Sequence, residues 1–204
     1  LQVGGAWLAA ALFAVHPVQV ESVAWITERK NVLAGVFYFA TALALLRWFE
    51  HSDAGEKSPR RARVYGAALL LFVCALWSKT VASSLPAAIL LVRWWRRGAL
   101  RIPDAVPLLP FFALGAGLGS ITAWMEKHLV GASGAEWAWS LGERSLIAGR
   151  AVWYYFGKLV WPAELLFNYP RWQIDAASAA QWLFPLSALA LVAALILGRK
   201  PAAK

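Results

Sequence analysis

Three stretches of this chain, 32–49, 106–124 and 182–198, are apolar almost without interruption, and each approaches the length of a membrane span. As helices rising 1.5 Å per residue they reach roughly 25–30 Å, about the thickness of a bilayer's hydrocarbon core. Shorter apolar runs occupy 1–15, 64–77, 81–95 and 146–160. Composition agrees. Only 15% of residues are charged and 60% are hydrophobic, whereas about a quarter of a soluble domain is charged. The expectation is an all-α, polytopic transmembrane helix bundle. One cysteine, Cys74, rules out an intrachain disulfide framework. The chain opens at Leu1 directly on apolar helix, with no basic leader or cleavage motif. It reads as one transmembrane domain, 1–204, and as an internal piece of a longer protein.

Residues 64–95 form a greasy stretch interrupted at Ser78-Lys79-Thr80, too long for one crossing and too short for two. Arg60, Arg61 and Arg63 precede it; Arg93, Arg96 and Arg97 follow. The positive-inside rule places both flanks in the cytoplasm. The expected form is a hairpin of two short helices whose tip, at Lys79, stops below the external surface. By alternation 47–63, 93–104 and 199–204 are cytoplasmic, with twelve Lys/Arg against four acids, while the remaining positions hold eight against seven. The net charge of +9 is thus read as membrane-flanking charge and not as a nucleic-acid surface. Segments 16–31, 125–143 and 161–181 fall outside. The stretch 143–160 joins two external segments, and Glu143, Ile147, Arg150, Tyr154 and Lys158 fall on one helical stripe. It is expected to be an amphipathic helix at the external interface or lining a cavity. Trp48, Trp94 and Trp95 mark the inner boundary; Trp77, Trp124, Trp161, Trp172 and Trp182 mark the outer one. Residues 50–63 read as a hydrophilic loop.

The external segment 16–31 is the polar exception among the apolar runs. His16-Pro17 ends the first helix, because the residue before proline avoids the helical region. A helix from Val18 would put Glu21, Trp25, Glu28 and Arg29 on one face. That face is either the wall of an external cavity or a solvated connection with internal pairs such as Glu28 with Arg29 or Lys30. Lys79, between two hydroxyls at the hairpin tip, is either a phosphate contact or a lysine snorkelling to the interface. The loop 168–175 offers Tyr169, Arg171 and Trp172 as sugar or lipid contacts, or as an interfacial anchor. Gly115 and Gly119 have the spacing of close helix packing. No His, Cys and acid cluster has metal-ligand spacing, so no metal or cofactor site is read and a divalent ion is left open. Arg29, Lys30 and Lys79 are the candidates to meet an anionic ligand at headgroup depth, and a lipid-linked phosphate fits that description.

The runs "FAVHPVQVESVAWITERKNVLAGVFYFATALAL", "LWSKTVASSLPAAILLVRWW" and "YYFGKLVWPAELLFNYPRW" resemble the membrane region of the TMTC-type protein O-mannosyltransferases, in particular bacterial relatives in which this region precedes tetratricopeptide repeats. The resemblance implies a glycosyltransferase fold of the GT-C class. It implies transfer of a sugar, mannose in the family, from a polyprenyl-phosphate donor to Ser/Thr of a protein acceptor on the external face. By position it carries donor-phosphate binding onto His16, Arg29, Lys30 and Lys79, with Glu21 as the base available within this chain. The principal acid is expected in a loop upstream, and the repeats downstream, so this piece by itself is expected to be inactive. The composition, rich in Ala, Arg and Trp, places the protein in a bacterial inner membrane, with the active face in the periplasm. Two rival readings are a non-catalytic membrane anchor for a repeat scaffold and an anion transporter; against the latter, no inverted repeat is evident.

Overall fold

The computed structural model describes residues 4–55, 58–129, 134, 138–166 and 169–198. These are helical throughout their regular structure, with no strand among them: α1 Ala6–Val15, α2 Val20–Ala24, α3 Arg29–Asp53, α4 Pro59–Ser78, α5 Leu85–Arg97, α6 Ile102–Ala105, α7 Leu109–His128, α8 Leu141–Val160 and α9 Ala179–Leu197. The chain is an all-α polytopic bundle. Four of its helical segments, Ile26–Asp53, Pro59–Ser78, Ile102–His128 and Ala179–Leu197, are long and apolar enough to cross a membrane. α8 is as long as α4 but is not among them, as its polar stripe leads one to expect. The chain divides into two compact units, one of Leu1–Ala24 with Ser133–Lys200 and one of Trp25–Ala132 with Pro201–Lys204.

In the second unit α3 and α4 pack side by side along their length, and α5 packs on α3. The core is Leu45, Trp48 and Phe49 of α3, Ala68, Phe72 and Leu76 of α4, and Leu85, Leu108 and Phe111 beyond. Small residues such as Ala68 and Ala75, fully buried, let the α3–α4 axes approach. The interruption falls at Lys79: α4 ends at Ser78, Lys79 is extended (φ −161°, ψ 126°), and Thr80–Ser84 form a 3₁₀ turn leading into α5. That turn packs on α7. There a Cβ on Gly115 would lie 3.0 Å from the Ser83 side chain, while one on Gly119 would meet nothing. The glycine pair therefore serves one close approach, to a turn and not to a second helix.

Three expectations need correction. The arm before Lys79 is not short, because Ser58 accepts from the Arg60 N–H as N-cap and Pro59 occupies the first turn. α4 thus begins inside the basic cluster and its 20 residues reach roughly 30 Å, so arm length does not recess Lys79. Nor is 50–63 a loop. α3 continues to Asp53 and α4 starts at Pro59. Trp48 also belongs to the core, not to a boundary belt: it is 9% exposed, 5.0 Å from Phe49 and 5.2 Å from Tyr65, ring to ring. Trp77 and Trp161, by contrast, are largely exposed.

The far end of α3 is tied by charge. Arg93 is 6% exposed and Asp104 fully buried. Arg93 Nε donates to Asp104 Oδ1 at 2.9 Å and its Nη1 to Asp53 Oδ2 at 2.9 Å. Arg97 donates to Asp104 at 3.1 Å and pairs with Asp53. The Arg101 N–H takes the other Asp104 oxygen at 3.0 Å. The Arg93 guanidinium stacks 4.1 Å from the Phe49 ring centre. This network joins α3, α5 and α6, and charges that the sequence offers as topology signals become a buried clamp.

In the first unit α8 packs on α9. Ser140 and Glu143 form a reciprocal cap at the start of α8: Ser140 N–H and Oγ–H donate to Glu143 Oε2 at 2.7 and 2.8 Å, and Glu143 N–H donates to Ser140 Oγ at 3.3 Å. These donors hold the Glu143 carboxyl below its ordinary range. A carboxylate lowered in the folded state stabilises above its unfolded pKa, and that stabilisation is lost as pH falls through the lowered value. Amide protection factors in the first turn of α8, referenced to the intrinsic exchange rate at each pH, should accordingly fall on acidification below the ordinary carboxyl range, and Glu143→Gln should flatten that dependence. α9 has no buried residue and is apolar all round, as a lipid-facing helix is.

Candidate functional site

The segment from His16 to Asn31 is not one helix. A 3₁₀ turn at Pro17–Gln19, α2 and a second 3₁₀ turn at Ile26–Glu28 follow one another, with Trp25 extended (φ −85°, ψ 123°) between the last two. β-branched Ile26 and Thr27 are weak helix formers, and the chain re-enters helix only at Arg29. The expected common face of Glu21, Trp25, Glu28 and Arg29 is therefore broken at Trp25. His16 and Glu21 belong to the first unit; Trp25, Arg29, Lys30 and Lys79 belong to the second.

In the second unit a polar chain spans the start of α3 and the break after α4. Lys79 Nζ donates to Asn31 Oδ1 at 2.5 Å, Asn31 Nδ2 donates to Glu28 Oε2 at 2.8 Å, and Lys30 Nζ lies 3.2 Å from Glu28 Oε1. Asn31 thus bridges Lys79 and Glu28 and fixes the lysine at the level of the first turn of α3. An ammonium has three protons, so Lys79 keeps two for another acceptor, and its side chain is exposed. Arg29 is exposed and forms no ion pair among the described residues. Of the flanking hydroxyls, Ser78 Oγ donates to its own helix at Cys74 O, 2.8 Å away, which spends its proton. The cluster sits at the N-terminus of a 25-residue helix, where the positive end of the helix dipole favours anions. Asn31 is the residue that sequence reasoning missed. Its signal is the Glu28-x-x-Asn31 spacing, which puts two polar ends one turn apart.

His16 is used otherwise. Its Nδ1 accepts from the Val18 N–H at 3.2 Å, so the proton sits on Nε2, which donates to Leu159 O at 2.9 Å. The ring is a neutral pin between the end of α1 and the last turn of α8. Glu21 lies exposed in the first turn of α2 and makes no ion pair with a described residue. Of the predicted loop 168–175, residue 168 lies outside the described residues, whereas Tyr169 and Trp172 pack edge-on against Tyr154, at 5.3 and 5.4 Å between ring centres. Arg171 is exposed. The polar stripe of α8 is where this loop docks: Arg150 lies 4.8 Å over the Trp172 ring, and Lys158 Nζ donates to the Ala163 and Glu164 carbonyls at 2.5 and 3.1 Å. Among the described residues no three His, Cys, Asp or Glu side chains come together as a metal site would require.

Over 74 residues the chain is 38% identical to Protein O-mannosyl-transferase Tmtc2 of Drosophila melanogaster, a match covering 36% of this chain and 8% of that protein. Over 78 residues it is 38% identical to Protein O-mannosyl-transferase TMTC1 of Mus musculus, covering 37% of this chain and 8% of that protein. The likeness is partial, and it is to glycosyltransferases. The matched part of the chain spans about 8% of the length of these curated relatives. No family model matches, and no solved structure matches.

Proposed function

We propose that this chain is the membrane-embedded, donor-binding part of a glycosyltransferase that moves a sugar, mannose by likeness, from a polyprenyl-phosphate carrier to a protein Ser/Thr hydroxyl. The observation that carries the reading is Lys79, held by Asn31 in a polar chain with Glu28 and Lys30 at the start of α3, with Arg29 exposed in the same turn. A phosphate there meets cations at the positive end of a helix, and charge-assisted contacts of this kind grow stronger as the leaving phosphate gains charge. The partial likeness to protein O-mannosyl-transferases supports the sugar and the acceptor. The reaction is a displacement. The acceptor oxygen attacks the sugar's anomeric carbon, the bond to phosphate breaks, and a carboxylate takes the hydroxyl proton. Glu28 is engaged by Lys30 and Asn31; Glu21, exposed on α2 in the first unit, is the other carboxylate of 16–31 and is kept as the candidate base from the sequence alone. His16, as a neutral pin, positions the segment and supplies no charge. The membrane assigned is a bacterial inner membrane, with the cluster facing the periplasm.

A second reading, a non-catalytic anchor, has one observation in its favour: Glu28 already neutralises one of the three cations. The two separate in a transfer assay. Membranes containing the full-length protein are given radiolabelled polyprenyl-phosphate mannose, and label is followed onto protein. Transfer that falls about tenfold or more in Lys79→Ala, the worth of a charge-assisted hydrogen bond, supports the transferase. No transfer from this donor or other lipid-linked hexoses supports the anchor.

A further inference from the structure

The first unit holds a constellation that phosphate binding leaves unused. After α8 the chain turns at Glu164, whose φ of 50° is the positive one among the described non-glycine residues. That region is disfavoured for a residue with a Cβ. It persists where surroundings over-determine it, and such positions gather at binding sites. Here Lys158 imposes it, gripping the carbonyls of Ala163 and Glu164 together. Just beyond, the Leu166 N–H donates to the Tyr169 hydroxyl at 3.0 Å. The result is a cavity of about 220 Å³ lined by Tyr154, Lys158, Glu164, Leu166, Tyr169 and Trp172 among others. It is smaller than the roughly 300–1,000 Å³ of drug-sized sites, so it suits a ligand of one ring.

Its chemistry narrows the class. Three aromatic rings beside a carboxylate would suit an organic cation, but the chain supplies its own. The Lys158 ammonium lies 5.6 and 5.7 Å from the Tyr154 and Tyr169 ring centres, and Arg150 lies 4.8 Å from that of Trp172. A second cation would meet like charge at every ring. An anion would meet Glu164, and the ammonium facing it has already given protons to two carbonyls. A neutral ligand fits, provided it has hydroxyls for Glu164 and Lys158 and an apolar face for the rings. A pyranose has both, with C–H bonds on its faces and hydroxyls on its rim. We propose that the Tyr154–Tyr169–Trp172 cavity is a binding site for a neutral hexose, with Glu164 as the hydroxyl acceptor that fixes its orientation. The inference rests on the first unit alone and goes beyond the phosphate reading.

The test uses the protein in nanodiscs with millimolar methyl α-D-mannopyranoside and methyl α-D-glucopyranoside, read by saturation-transfer NMR. Saturation should reach the ring protons of at least one glycoside. Binding should weaken about tenfold in Glu164→Gln, which preserves shape and removes the charge, and more in Trp172→Ala, with circular dichroism unchanged in Glu164→Gln. Displacement of the glycoside by a polyprenyl-phosphate hexose would make the donor's own sugar the ligand; displacement by a free oligosaccharide alone would make it a sugar of the acceptor. Absence of saturation transfer with both glycosides, or undiminished binding in folded Glu164→Gln, would overturn the proposal. Neither result bears on Lys79, because a free glycoside carries no phosphate.

Discussion

Asp104→Ala is expected to destabilise the Trp25–Ala132 unit by about 3–5 kcal/mol, the range for breaking a buried pair from one side. Asp104 is fully buried and accepts from Arg93, Arg97 and the Arg101 N–H. Removing it leaves Arg93, itself 6% exposed, with Asp53 as its remaining carboxylate partner in the network. The desolvation of the guanidinium is then no longer offset on that side. Replacing both partners, Arg93→Met with Asp104→Leu, should recover a large part of the loss, since apolar pairs often substitute for buried ion pairs at little cost. Denaturant titration in mild detergent reads both. A loss below about 1 kcal/mol in the single variant, the scale of surface pairs, would mean that the network is solvated.

Gly149→Ala should separate α8 from α9. A Cβ at residue 149 would lie 2.5 Å from the backbone N and Cα of Pro185. No rotamer change relieves a clash with backbone. Pro185, inside α9, lacks an N–H and so permits the approach at this level. Next to it Trp153 Nε1 donates to Phe184 O at 3.1 Å, and this bond lengthens or breaks if the helices part. Overpacking of this kind costs about 1–3 kcal/mol. Trp153 emission should shift in Gly149→Ala, measured in a variant where the other tryptophans near the two helices are phenylalanine. Gly157→Ala, where a Cβ meets nothing, should be neutral or slightly stabilising.

The parts legible in the sequence are those set by local pattern. Apolar runs gave the spanning helices, the charged stripe kept α8 apart from them, and Ser78-Lys79-Thr80 marked the break after α4. Pairing across the fold was not legible. Arg93 and Asp53 are forty positions apart, and both looked like flanking charge until α5 returned to the end of α3. Gly149 and Pro185 each had a local explanation, and their contact exists only once α8 meets α9. The single helix drawn from Val18 failed because periodicity alone ignores the break at Trp25. For the candidate site, Arg29, Lys30 and Lys79 were named, but the bridge that assembles Lys79 with Glu28 runs through Asn31, and the Glu28-x-x-Asn31 spacing does not by itself say which distant cation the amide meets. His16 was read as a phosphate ligand by position, whereas its two ring nitrogens are both committed to backbone.

The central claim, that the open end of α3 holds a lipid-linked phosphate, is tested most directly by binding. Polyprenyl phosphate titrated into nanodiscs containing the protein should shift and broaden its ³¹P resonance. The apparent affinity should fall about tenfold in Lys79→Ala and in Arg29→Ala, with both variants folded. Equal affinity in wild type and both variants, or no perturbation of the ³¹P signal by wild type, would contradict the claim and leave these cations as determinants of topology.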